Sequence, residues 1–120
     1  MSASVVLNLP DFDTGQYEGC EFVMRGANAT LTLHIAELPD VSIRFEGVRW
    51  HQFTSLYNCS PDMVRDAYFK LVEYPSSQAL SRFISEDLAA SKAYSRLSHY
   101  RIFLDETGCH DVFAQSAGAI

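Results

Sequence analysis

The stretch Ser98-His-Tyr-Arg-Ile-Phe-Leu-Asp-Glu-Thr-Gly-Cys-His-Asp-Val-Phe-Ala114 decides how the chain is read. Tyr100, Ile102 and Leu104 alternate with Arg101 and Phe103, then Asp105-Glu106-Thr107-Gly108 supplies turn chemistry, and Val112 and Ala114 alternate with Phe113 beyond it. Alternation on both sides of a turn predicts a C-terminal β-hairpin. Two histidines, a cysteine, an arginine and three acids in the same segment raise the question of chemistry, which the rest of the chain must answer.

Working back from the hairpin, the period changes to that of a helix. Ser60-Pro61-Asp62 is a helix start, because serine can cap a free backbone amide, proline suits the first helical position and aspartate favours the positive end of the dipole. Met63, Val64, Ala67, Tyr68, Leu71 and Val72 follow at helical spacing up to Pro75, which predicts a helix over about 61–73. A second helix is expected from Ser77, with Leu80, Phe83, Ile84 and Leu88 on one face; residues 85–98 are small and polar and read as a loop or frayed turn.

The first half of the chain alternates in steps of two. Val5, Leu7 and Leu9, then Leu31, Leu33 and Ile35, then Val41, Ile43 and Phe45 mark half-buried strands. Turn residues between them bound strands near 3–9, 20–25, 29–36 and 41–53, with Gly47 as a bulge or bend in the last. The expected fold is a single α+β domain spanning 1–120: a mostly antiparallel sheet of about six strands, N-terminal meander plus C-terminal hairpin, with one or two helices on one face.

Composition narrows the function classes. An apolar content of 48% with 20% charged residues belongs to a globular chain. Fifteen acidic against nine basic residues give a formal net charge of -6, which disfavours nucleic-acid and membrane partners and favours basic proteins. Three cysteines without a CxxC pair, and no basic segment followed by a long apolar one, point to a reducing cytoplasm. The Asn28-Ala29-Thr30 and Asn58-Cys59-Ser60 triplets fit the glycosylation pattern but need a secretory route.

No GxGxxG, GxxxxGK, HExxH or GxSxG occurs, so no cofactor is expected. Cys109 and His110 are strand neighbours and point to opposite faces, which leaves the thiol without that histidine as its base. His51 with Cys59, and Cys109 with His110, lack the spacing of zinc-ligand pairs, and no metal is expected. A small enzyme or zinc protein built on these four residues is the alternative reading, and a structural subunit that self-associates through an open sheet edge is another. The acids carry the preferred one: Asp105, Glu106 and Asp111 at the hairpin, with Asp11 and Asp13 as a second patch and Trp50 as an aromatic anchor, form the candidate partner-binding set.

Three segments carry a family resemblance: Val41-Ser-Ile-Arg-Phe-Glu-Gly-Val-Arg-Trp50, Ser60-Pro-Asp-Met-Val-Arg-Asp-Ala-Tyr-Phe-Lys-Leu-Val-Glu-Tyr74 and His99-Tyr-Arg-Ile-Phe-Leu-Asp-Glu-Thr-Gly-Cys-His-Asp-Val-Phe-Ala114. From about residue 30 onward the chain resembles small bacterial proteins of uncharacterised or toxin-immunity type. In these an RFEGV-like strand is followed by a helix and a closing HYRIxxDxxGxxxVxA-like hairpin. The resemblance implies a cytoplasmic, non-enzymatic inhibitor that binds a cognate effector domain, often a basic nuclease, and occludes its active site. It carries over no catalytic residue.

Overall fold

A computed structural model describes residues 3–86 and 97–120. In β3, Asn28–Ile35, every second side chain is buried: Ala29, Leu31, Leu33 and Ile35 turn inward while the threonines and His34 turn out. That period of two is what a sheet with one wet face requires. Strand β3 pairs antiparallel with β2, Tyr17–Arg25, on one side and β4, Val41–Glu46, on the other. A short strand β9, Ser116–Ala119, closes this sheet, giving the order β2-β3-β4-β9.

The second sheet has the order β1-β6-β7-β8-β5, built from β1, Ser4–Asn8; β5, Trp50–Ser55; β6, Lys70–Tyr74; β7, Ser98–Leu104; and β8, Gly108–Ala114. The expected hairpin is β7-β8, with Arg101 opposite Asp111 and Ile102 opposite His110. Its two faces are occupied differently. Tyr100, Ile102, Leu104, Val112 and Ala114 join Leu31, Leu33, Ile43 and Phe45 of the other sheet in one apolar core. Val72, Phe103 and Cys109 face the opposite way, onto Met63, Val64 and Ala67 of helix α1, Pro61–Ala67. Helix α2, Gln78–Glu86, reaches the same face through Phe83, whose ring meets Phe113 edge-on at 5.3 Å. The five-stranded sheet is therefore a middle layer, with the four-stranded sheet on one side and both helices on the other.

The α+β class and the antiparallel pairing are as expected, but among the described residues nine strands in two sheets replace about six in one. Four differences account for the change. The helix from Pro61 ends at Ala67 instead of residue 73, because Phe69 takes a left-handed φ of 50° and its amide bonds Phe103 O at 2.8 Å. Residues 70–74 then run as a strand between β1 and β7, burying Leu71 and Val72 on opposite faces. The segment 41–53 is two strands, because Gly47, at φ 65°, breaks the run and carries the chain from one sheet to the other. The first strand leaves the meander to pair with β6, and Ser116-Ala-Gly-Ala119 adds an edge strand. Leu88 and most of 85–98 lie outside the described residues, so the expected loop or frayed turn there does too.

The hairpin depends on Gly108. Its φ is +140°, and a Cβ there would sit 2.2 Å from the backbone oxygen of Thr54 on the neighbouring strand, which cannot swing aside. Gly26, at φ +59°, has open space around the same position. Gly108→Ala is expected to cost at least about 2 kcal/mol in denaturant unfolding and Gly26→Ala about 1 kcal/mol, the left-handed backbone being common to both and the clash to one. Equal losses would mean that strand β5 yields at Thr54.

Candidate functional site

Two parts of the chain that carry acids meet at one end of the molecule. Leaving β1, the chain passes through Pro10-Asp11-Phe12 to Asp13, whose side chain accepts the Gly15 amide and caps the short 3-10 turn Thr14–Gln16. Phe12 meets the ring of Phe69 edge-on at 5.2 Å and Tyr17 meets it at 5.5 Å. The Tyr17 hydroxyl lies 2.8 Å from Thr107 Oγ1 in the β7-β8 turn. Because Phe69 is turned inward by its left-handed backbone, Tyr68 is left 39% exposed, and its hydroxyl donates to Asp105 Oδ2 at 3.1 Å. Partial burial and the Asp105 carboxylate both raise the Tyr68 phenol above its ordinary pKa. A shallow groove of about 210 Å3 runs between Asp11, Phe12 and Thr14 on one side and Tyr68 and Phe69 on the other. Thus Asp11, Asp13, Asp105 and Glu106, more than ninety positions apart at the extremes, flank one aromatic seam; Glu106 is exposed at the tip with φ 70°.

Two expected members of this set are elsewhere. Trp50 lies half-buried at the start of β5, stacked on Phe113 at 4.3 Å. In the β7-β8-β5 register Phe113 is near the open end of the hairpin and Gly108 is at its turn, so Trp50 is about 17 Å from the acids at strand spacing. Asp111 is not a surface acid: it is 4% exposed, on the helix-facing side of β8. Its Oδ1 accepts Arg101 Nε at 2.6 Å and His99 Nε2 at 2.7 Å, and its Oδ2 lies 3.7 Å from the Cys109 thiol. Arg101 in turn donates to the Tyr74 hydroxyl at 3.1 Å, which donates to Asp66 Oδ2 at 3.1 Å. Burial alone would raise the Asp111 carboxyl pKa, but the His99 and Arg101 bonds outweigh it and hold the group ionised below its ordinary range. A buried carboxylate so placed is held by its neighbours and is closed off from the surface of a partner protein.

The cysteine and histidine candidates divide between the two faces of the middle sheet. Cys109 points toward the helices with Cys59, and burial raises both thiols above their ordinary pKa, a poor setting for a thiolate nucleophile. His110 points between the sheets, where its Nδ1 lies 3.0 Å from His51 Nε2 and its Nε2 lies 3.8 Å from the thiol of Cys20. The ring of Phe22 stacks on that of His51, with centroids 3.8 Å apart. The four residues proposed as zinc ligands therefore cannot converge on one ion, and Cys20 uses the far nitrogen of His110, so it cannot join His51 at a shared point. The sequence reading missed this Cys20-His110-His51 contact and the Tyr68 bridge, both of which depend on pairing between distant strands. Comparison with protein-family models, curated proteins and solved structures gives no match to the chain.

The buried histidines make stability pH-dependent. Burial, then the neighbouring His51, push His110 down to about 4, and burial lowers His51 as well. An unfolded histidine titrates near 6.5, so over the interval below it the unfolded chain binds protons that the folded chain refuses, and stability rises with pH. Exposed His34, raised by Glu21 and Asp40, contributes with the opposite sign and is screened by solvent. Unfolding free energy is expected to fall by about 2 kcal/mol on going from about pH 7 to about pH 4.5, and His110→Asn to flatten that slope. Asp111→Ala, which strands Arg101 beside His99, is expected to cost about 3 kcal/mol, against less than about 0.5 kcal/mol for Asp11→Ala. Similar losses for the two acids would contradict the separation of buried from exposed carboxylates.

Proposed function

We propose that the chain is a protein-binding module of the toxin-immunity kind, which presents its acidic end to a basic effector domain and occludes that domain's active site without chemistry of its own there. One observation carries the reading: the Asp11-Asp13 loop and the Asp105-Glu106 turn are joined around the exposed Tyr68. Carboxylates on a rigid frame can occupy a cleft evolved for phosphate, and an exposed tyrosine adds contact area with little loss of side-chain entropy. A net charge of -6 accelerates approach to such a partner. The cytoplasm is the proposed compartment, in keeping with three free cysteines. Among the described residues no helix is long and apolar enough to cross a membrane.

A second reading has its own support. Val23 and Met24 on β2 are 48% and 46% exposed, Phe53 on β5 is 45% exposed, and β2 lies over β5 through the Phe22-His51 stack. Apolar side chains along two open strand edges favour self-association. Sedimentation over a range of concentrations separates the cases, since a dimer that dissociates in Phe53→Lys would assign these edges to a second copy of the chain.

The test of the main reading uses the purified effector domain encoded beside this chain. Association measured by surface plasmon resonance is expected to slow by at least about tenfold in Asp11→Lys/Asp105→Lys and to lose much of its salt dependence, while Trp50→Ala leaves it unchanged. Loss of binding in Trp50→Ala with none in the acid variant would move the interface to the opposite end, and no binding by the wild-type chain would overturn the reading.

A further inference from the structure

A different constellation lies on the helix-facing side of the middle sheet, away from the acidic end. Ser77 immediately precedes α2, and its Oγ is 2.7 Å from His99 Nδ1. His99 Nε2 is 2.7 Å from Asp111 Oδ1. The side chains of His99 and Asp111 are 7% and 6% exposed, whereas Ser77 is only half-buried. Ser77, His99, Tyr74, Arg101, Gln78 and Ala79 are among the residues lining a groove of about 500 Å3. We propose that Ser77 and His99, positioned by Asp111, form an acyl-transfer site for short acyl esters.

The hydrogen-bond network fixes the polarity. Asp111 is ionised and can only accept, so His99 carries its proton on Nε2 and turns the Nδ1 lone pair to the Ser77 hydroxyl, which donates to it. Arg101 Nε shares Asp111 Oδ1 at 2.6 Å, and this keeps the carboxylate in place behind the imidazole. The arrangement has the logic of a nucleophile, a base and an orienting acid, with the two imidazole nitrogens exchanging the roles they have in the serine proteases. The Ser77 Oγ also accepts the Leu80 amide at 3.0 Å, as the cap of α2. This bond uses one of its two lone pairs and holds the oxygen still. The amides of Gln78 and Ala79 belong to the first turn of a nine-residue helix, where backbone N–H groups have no partner within the helix. They adjoin the nucleophile and would serve the negative oxygen of a tetrahedral adduct.

In the first half-reaction Ser77 Oγ bonds to the ester carbonyl carbon as its proton passes to His99 Nδ1. The adduct then collapses, breaking the bond to the alcohol oxygen, which leaves with the proton from His99. Water, the second substrate, gives a proton to His99 and attacks the acyl-serine, releasing the carboxylic acid and returning the proton to Ser77. Atoms and charge balance without a metal or redox partner. Asp111 touches neither substrate nor water and acts through His99.

The full chain, alone, is incubated with a fluorophosphonate probe, its mass and labelled peptide are determined, and p-nitrophenyl butyrate hydrolysis is followed in parallel. One adduct at Ser77 and turnover above the uncatalysed rate are expected. Ser77→Asn keeps a good helix cap but has no nucleophile, so it should lose both while unfolding at nearly the wild-type temperature. Asp111→Asn should lower kcat by at least about 100-fold at similar KM, a split that loss of folded protein would also mimic in kcat, so the rate is referred to the Ser77 adduct formed per molecule. An unlabelled Ser77 in the wild-type chain, or hydrolysis undiminished in Ser77→Asn, overturns the proposal.

Discussion

Arg101 faces Asp111 across the β7-β8 hairpin, and the remainder of the structure depends on that register. These are central strands of the middle sheet, so each residue must face either the apolar space between the sheets or the helix side. A slip of one residue would exchange the faces, moving the carboxylate among Phe45, Leu31 and Ile102 and taking Val112 out to the helices. Burying a lone carboxylate in such a core costs several kcal/mol, which makes the ion pair a specification of register as much as a source of stability. With the register set, His99 is placed beside Phe113, Cys109 beside Phe103, and the turn with Asp105 and Glu106 projects at one end.

How much of this was legible depends on the range of the interaction that decides it. Leu31, Leu33 and Ile35 announce a strand because the alternation is local and one face of β3 is wet. Ser60-Pro61-Asp62 likewise announces the α1 start, and Ser60 does accept the Met63 amide. The α1 end was misread because Leu71 and Val72 are buried on opposite faces of a covered strand, and two adjacent apolar residues satisfy a helical stripe equally well. Ser116-Ala-Gly-Ala119 has no alternation to read, and only pairing with β4 makes it a strand. Asp111 was placed at the surface on polarity alone. Its neighbours two positions away, Cys109 and Phe113, share its face and are buried, a local hint that the acid is buried with them; that Arg101 and His99 satisfy it follows only from the register.

The hairpin thus offers different chemistry at different places along its length. Its turn carries half-buried Asp105 and exposed Glu106 next to Tyr68, the end that the proposed function offers to another protein. Its interior carries one carboxylate, enclosed by donors and tied to Ser77 through His99. Acids five and six positions apart in sequence differ in setting because the turn lies at the surface, with Glu106 exposed, whereas strand β8 is covered on both faces.

The strand order has a consequence for how the chain acquires its structure. Strand β1, at residues 4–8, pairs with β6 at 70–74; β5 finds its partner β8 more than fifty positions later; and β4 waits for β9 near residue 117. The β2-β3-β4 meander and the β7-β8 hairpin are closed by short loops, so each is able to form as a local unit, and the meander is made first. During synthesis its inward face of Leu31, Leu33, Ile43 and Phe45 stays uncovered until β7 and β8 have emerged. The interval between those events is when the nascent chain has most need of a chaperone.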